Sequence, residues 1–86
     1  MNYRLEFATR ARKQLAQLPQ RDRERILTAL RQMQEDPFSG DIKHLTNQPF
    51  AWRQRVGPFR ILYDLNPTHH VIIVARIERR STTTYR

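Results

Sequence analysis

The sequence predicts a single α+β domain over residues 1–86. It comprises an N-terminal strand, an αα-hairpin and then an antiparallel sheet of three to four strands, with the helices packed on one face. Two observations predict this class. Apolar residues recur at helical spacing up to about residue 35, and from residue 42 onward they alternate with polar residues as in strands. The 86 residues contain no repeat and no low-complexity linker, so one hydrophobic core is expected.

The first part of the chain is predicted to form one strand and two helices. Residues 3–7 alternate between apolar and polar, which predicts a short strand. Thr9 is a candidate N-cap for a helix that runs to about Leu18, because Pro19 then ends it. A second helix is predicted over residues 20–34. Its apolar stripe consists of Ile26, Leu27, Leu30 and Met33.

The rest of the chain is predicted to form the sheet. A loop rich in turn-forming residues covers residues 35–40. The predicted strands cover residues 42–45, 51–56, 59–65 and 70–77, and turn-prone residues lie between them.

The composition is strongly basic. The net charge is +8 and the pI is about 11.3, and Lys13 and Lys43 are the only lysines among 16 basic residues. Arginine presents a planar fork of donors that suits phosphate, so contact with nucleic acid or the ribosome is expected; an acidic protein partner is the main alternative. The absence of cysteine and of any long apolar run predicts a soluble, cytoplasmic protein without thiolate metal sites.

The most informative segment is W-R-Q-R-V-G-P-F-R-I-L-Y-D at residues 52–64. A turn centred on Gly57-Pro58 would place Val56 opposite Phe59 and Arg55 opposite Arg60. Like charges that face each other on a sheet are destabilising, so folding alone does not explain this face, whereas a bound polyanion does. Arg53 is predicted on the same face. The opposite, mostly apolar face would carry Trp52, Gln54, Val56, Phe59, Ile61 and Tyr63.

This segment, together with the ending R-I-E-R-R-S…Y-R of residues 76–86, resembles the RelE/ParE toxin superfamily. Residues 40–45, G-D-I-K-H-L, also resemble its G-x-x-K-x-L lead-in. Members are toxins of bacterial toxin–antitoxin pairs. The RelE-like branch cleaves mRNA in the ribosomal A site, and the ParE-like branch poisons DNA gyrase. The strand arginines, the arginine pair at 79–80 and Tyr85 favour the RelE-like branch; a gyrase inhibitor and a non-catalytic basic binding module are the alternatives.

The resemblance implies a cofactor-free endoribonuclease in which a ribose 2′-OH attacks the adjacent phosphate. The sequence has no cluster of carboxylates or histidines at metal-ligand spacing, so metal-independent cleavage is predicted. Arg60 is predicted to hold the scissile phosphate as charge grows on it, and Arg55 to hold the same phosphate or its neighbour. The alternative role of Arg60 is an ion pair with Asp64 or Asp41.

Roles for the C-terminal residues rest on the same resemblance. Tyr85 would orient the 2′-OH, accept its proton or stack on a base; its alternative is a cap docked on the sheet. Arg79 or Arg80 would neutralise the attacking or leaving oxygen, and the resemblance leaves open which of the two. Their alternative is pairing with Glu78 or with antitoxin carboxylates. Substrate-binding residues are predicted to be Arg53, Lys43, Arg76 and Arg86.

The remaining polar and aromatic candidates receive mostly structural interpretations. His69 and His70 are predicted to be an exposed loop pair, and the face on which His44 lies is left open. Trp52 and Tyr63 are predicted core residues. Lys13, Arg21, Arg23, Arg25 and Arg31 are predicted to form a helix surface that meets ribosomal RNA or solvent.

Two partners are implied by the resemblance. The first is an acidic, partly disordered antitoxin that folds over the basic face and gives a toxin–antitoxin hetero-oligomer. The second is the ribosome with its mRNA and 16S rRNA.

Overall fold

The computed structural model describes residues 2–80, which form five strands and two helices. In chain order the elements are β1 (Arg4–Phe7), α1 (Thr9–Ala16), α2 (Gln20–Glu35), β2 (Asp41–His44), β3 (Trp52–Val56), β4 (Phe59–Asn66) and β5 (Val71–Arg79). Neither helix is long and apolar enough to cross a membrane.

All five strands belong to one sheet, in the order β1-β5-β4-β3-β2. The predicted α+β class is confirmed, but the sheet has five strands rather than three to four. β1 is the additional member, and it pairs parallel with β5 while the other neighbours pair antiparallel. The αα-hairpin crosses the sheet from β1 at one edge to β2 at the other.

The helices cover one face of the sheet, and the core lies between the two layers. Ile26, Leu30 and Met33 of α2 are fully buried, as the predicted apolar stripe requires. The strand residues of the same cluster include Phe59, Ile61, Tyr63, Ile72, Val74 and Ile77. Within residues 2–80 the opposite face carries no helix, and its side chains are therefore available for other contacts.

The predicted Thr9 cap is wrong. Ala8 occupies the N-cap position of α1, and no side chain caps the helix there. The backbone of Ala8 is committed to the sheet, because its N–H donates to the Val74 carbonyl at 2.9 Å. The helix therefore starts where β1 ends, and Thr9 becomes its first residue rather than its cap.

A β-bulge in the β4–β5 pair decides which β5 side chains face away from the helices. Leu62 pairs with Arg76 and Tyr63 pairs with Val74, so Ala75 is the extra residue. Strict alternation would put Arg76 on the same face as the buried Val74. The extra residue reverses the alternation, and Arg76 and Glu78 consequently lie on the helix-free face.

Candidate functional site

The helix-free face presents two arginines from the β3–β4 hairpin in direct opposition. The predicted register is confirmed, since Arg55 pairs with Arg60 and Val56 pairs with Phe59. Gly57 begins the turn with φ +57, a conformation that favours glycine at the first of two turn positions. Both arginine side chains are exposed. Among residues 2–80, no carboxylate forms an ion pair with Arg55.

Arg60 has a partner that the sequence did not suggest. Its Nη2 lies 3.2 Å from Oε1 of Glu78, and its Nε lies 3.4 Å from the same oxygen. The predicted alternative partners are wrong for Arg60. Asp64 instead accepts the Ala51 N–H at 2.7 Å, and Asp41 forms an ion pair with Arg53. Glu78 forms the ion pair because it is the cross-strand neighbour of Arg60 in β5.

Glu78 also approaches a second arginine. Its Oε2 lies 3.6 Å from Nη1 of Arg76, so one carboxylate stands between two guanidinium groups. The side chain of Glu78 is 24% exposed. Sequence reasoning paired Glu78 with Arg79 or Arg80; the bulge directs it to Arg60 and Arg76 instead. An acidic residue therefore lies within the cationic face.

Arg53 and Lys43 lie further along this face, towards the edge strand. They are cross-strand neighbours in the β2–β3 pair. Arg53 contacts Asp41 through a 3.5 Å ion pair, and its side chain is only 13% exposed. Lys43 is exposed. Arg53 is held by Asp41, whereas Lys43 forms no ion pair with any residue from 2 to 80, so the two cations differ in how freely they can reach a ligand.

A cavity of about 220 Å³ opens beside Arg60. It exists because the segment between β2 and β3 folds back over the sheet, leaving Phe50 6% exposed and Leu62 4% exposed. The guanidinium of Arg76 lies 5.4 Å from the centre of the Phe50 ring. The cavity is lined by Leu45, Gln48, Phe50, Arg53, Arg60, Leu62, Arg76 and Glu78.

Sequence reasoning missed Leu45, Gln48, Phe50 and Leu62 as site residues. The signal for Leu62 was present, because period-two alternation puts an apolar residue there on the same face as Arg60. No sequence pattern predicts that residues 45–51 cover Leu62.

The two candidate arginines at the end of β5 lie in different places. Arg79 contacts the core-side ring of Phe59, with its Cζ 4.8 Å from the ring centre. Arg80 instead follows the β3–β4 turn: its N–H donates to the Pro58 carbonyl at 2.7 Å, and its Nη1 donates to the Gly57 carbonyl at 3.1 Å. Arg80 thus lies at the end of the hairpin that carries Arg55 and Arg60. Tyr85 and Arg86 lie outside the described residues.

The histidines do not join the arginines. His44 stacks edge-on against Trp52 with ring centres 4.8 Å apart, which places it on the helix-covered side of the sheet. His70 stacks edge-on against Tyr3 at 5.1 Å, and His69 is exposed in the adjoining turn. Among residues 2–80, no three ligating side chains group together as a metal site would require.

The two aromatic residues predicted to be core are found there. Tyr63 is fully buried, and Trp52 is partly buried against the same cluster. Burial raises the pKa of Tyr63 from 10.0 to about 12 because the ionised phenolate would lose its hydration. Neither residue is available to a ligand on the helix-free face.

The helix arginines are not uniformly solvent-facing. Arg23 donates from Nη1 to the Leu18 carbonyl at 2.9 Å, which satisfies a carbonyl just beyond the end of α1. Arg25 reaches the β3–β4 turn, where its side chain occupies the space beside the Gly57 Cα. Only part of the predicted helix surface is therefore open.

Comparison with solved structures identifies the fold. An archaeal RelE from Pyrococcus horikoshii, solved in complex with RelB, superposes with a TM-score of 0.81 at 24% identity, covering 96% of this chain and 100% of that one. The toxin–antitoxin complex RelBE2 from Mycobacterium tuberculosis gives 0.79 at 26% identity, covering 93% and 100%. Isolated Escherichia coli RelE gives 0.79 at 22% identity, covering 94% and 87%. The fold is therefore that of RelE-type toxins.

Comparison of the sequence with family profiles also identifies a toxin family. A family profile described as the ParE toxin of the type II toxin–antitoxin system parDE matches residues 5–83. No curated protein matches the sequence. The chain belongs to this ParE toxin family, within the RelE/ParE superfamily that its motifs predicted.

Proposed function

We propose that this toxin is a metal-independent mRNA endonuclease that acts in the ribosomal A site in the cytoplasm. One observation carries the proposal: Arg55 and Arg60 oppose each other on an exposed sheet face. Arg60 forms an ion pair with Glu78, whereas Asp41, the cross-strand neighbour of Arg55, forms its ion pair with Arg53 instead. Like charges at directly opposed positions destabilise a sheet. A phosphodiester between the two guanidinium groups would convert that repulsion into two attractive contacts.

The arrangement suits cleavage by the neighbouring 2′-OH. Arg60 exchanges its Glu78 partner for the scissile phosphate and stabilises the additional negative charge in the transition state. Arg55 holds the same phosphate from the opposite strand. Of the two C-terminal candidates, Arg80 is the better placed, because it lies at the turn that joins these strands. Arginine contributes electrostatically, since its pKa is above about 12.

The remaining predicted residues have supporting roles. Tyr85 orients the attacking 2′-OH or accepts its proton. Lys43, Arg53, Arg76 and Arg86 contact flanking RNA or 16S rRNA.

An acidic antitoxin is the proposed protein partner. Two of the similar structures are complexes with RelB or of the RelBE type, which supports a partner of this kind. Its carboxylates would occupy the positions that RNA phosphates take on the cationic face. The toxin and antitoxin would form a hetero-oligomer, and inhibition would follow from competition for the same arginines.

The test uses purified toxin and ribosomes programmed with a defined mRNA. The expected result is cleavage in the A site that leaves a 2′,3′-cyclic phosphate and a 5′-OH. Arg60→Ala should cleave roughly 10²-fold more slowly or worse, by analogy with the loss of one oxyanion donor. Arg12→Ala removes the same charge from the exposed surface of α1 and should cleave normally. Undiminished cleavage by Arg60→Ala would remove this residue from the mechanism.

Gyrase inhibition is the second candidate, and the ParE description of the family profile favours it. Induction of the toxin in cells separates the two. An immediate halt of translation is expected for the ribonuclease, whereas filamentation and an SOS response with translation intact would identify the gyrase inhibitor.

A further inference from the structure

The cavity beside Arg60 has the size and lining of a site for one flat, polar ring. Its volume of about 220 Å³ is below the roughly 300–1,000 Å³ of sites for larger ligands. Leu62 and Phe50 supply apolar surface, and both are nearly buried. Arg76 is 35% exposed, so part of its guanidinium remains open for stacking on a ring.

The cavity adjoins the proposed phosphate position. Arg60 contributes to both, because it lines the cavity and also opposes Arg55 across the hairpin. A nucleotide whose phosphate meets Arg60 can therefore place its base in the cavity. An unstacked base of single-stranded RNA is the usual ligand for such a site.

Glu78 gives the cavity a hydrogen-bond acceptor that a purely cationic site would lack. Its Oε1 accepts from Arg60, whereas Arg76 lies 3.6 Å from Oε2, beyond hydrogen-bond distance. An ionised carboxylate has about four lone-pair positions. The carboxylate thus retains acceptor capacity, and it gains more when a phosphate takes Arg60 away from it.

Only one of the four RNA bases has two adjacent donors that can meet the two oxygens of a carboxylate. Guanine presents N1–H and N2–H₂ side by side. Adenine and cytosine place an acceptor nitrogen next to their amino group, and uracil flanks its single N–H with two carbonyls. We infer that the cavity is a guanine subsite in which Glu78 reads the Watson–Crick edge. This inference rests on the proposed function for RNA as the source of the base.

Binding of mononucleotides to the full chain tests the inference without a ribosome. GMP, AMP, CMP and UMP are titrated separately, and amide chemical shifts of Phe50 and Leu62 report occupancy of the cavity. The wild type should bind GMP on the order of tenfold more tightly than the other three, as expected for a bidentate base contact. Glu78→Gln should lose this preference, since an amide offers one donor and one acceptor.

Two further variants separate base reading from charge. Glu78→Asp keeps the charge but retracts the oxygens, and it should also lose the preference. Glu24→Gln removes one negative charge from the exposed surface of α2 and should bind like the wild type. Because no cleavage is measured, the result is distinguishable from failure of the ribonuclease proposal.

Three outcomes would overturn the inference. One is equal binding of all four nucleotides by the wild type. Another is uniformly tighter binding by Glu78→Gln, which would make Glu78 merely a competitor for the arginines. The third is GMP binding with no shift at Phe50 or Leu62.

Discussion

Consecutive residues of β4 meet opposite requirements because their side chains alternate between two faces. Arg60 is exposed beside Glu78, and the next residue, Ile61, is fully buried under the helices. The same alternation in β3 places Arg55 in solvent and Gln54 in the core. Gln54 is the exception in that core: among the described residues it is the buried polar one.

The buried amide of Gln54 should reduce stability. Its Oε1 is buried without a hydrogen-bond partner among the described residues, and such a group costs roughly 1–3 kcal/mol. Gln54→Met keeps a similar volume without the amide, so we expect the free energy of unfolding to rise by about 1 kcal/mol. Urea denaturation measures it. Gln17→Met at an exposed position is the control, and an unchanged or lower stability for Gln54→Met would contradict the interpretation.

Tyr63 should make the fold sensitive to alkali. The pKa of the phenol is 10.0 in the unfolded reference and about 12 in the folded chain. Stability from the neutral form is therefore complete below pH 10 and is lost as the pH rises from 10 towards 12. Urea midpoints near pH 9 and near pH 11 should differ less for Tyr63→Phe than for the wild type. Tyr3→Phe should retain the wild-type difference, and an equal difference in all three would contradict this cause.

At the level of elements, β5 connects the core to the site. Its first half carries Ile72 and Val74 into the core, and the bulge at Ala75 turns Arg76 and Glu78 to the helix-free face. β1 pairs with residues 71–74, so no strand of the described part of the chain lies on that side of the second half of β5. There a side chain of α1 replaces the acceptor that a neighbouring strand would provide: Gln14 Oε1 accepts the Ile77 N–H at 2.8 Å.

Removing the Gln14 contact should loosen this half of β5. Gln14→Ala leaves the Ile77 N–H without its acceptor, and we expect a loss of about 1–2 kcal/mol in the free energy of unfolding. Gln14→Glu keeps an acceptor oxygen and should recover part of the loss. Gln17→Ala, one helical turn on and exposed, should change little. Faster amide exchange at Ile77 in Gln14→Ala alone would locate the effect, and an unchanged exchange rate would refute it.

The hairpin illustrates what could be predicted from the sequence. The turn at Gly57-Pro58 and the period-two pattern suffice to set Arg55 opposite Arg60, because both depend on neighbouring residues. The position of Glu78 could not be predicted in this way. It depends on a bulge between strands joined by a turn, and no residue type marks Ala75 as the extra one.

At the level of the whole molecule, the open sheet face carries a group of cations in addition to those on α1 and α2. The net charge is +8, and cations from β3, β4 and β5 share the face that the helices leave open. The main core cluster lies on the opposite face, and Phe50 and Leu62 add a small buried apolar contact on the open one. The open face can therefore retain an arrangement that is unfavourable for folding and suited to a polyanion.

The central claim is that Arg55 and Arg60 hold one phosphodiester together, and a double-mutant cycle on single-turnover mRNA cleavage tests it most directly. Each single alanine variant should lose roughly 10²-fold in rate. Residues that act as a unit are strongly non-additive, so the double variant should lose about 10³-fold at most. A loss equal to the full product of about 10⁴, or a wild-type rate for Arg55→Ala, would contradict the account.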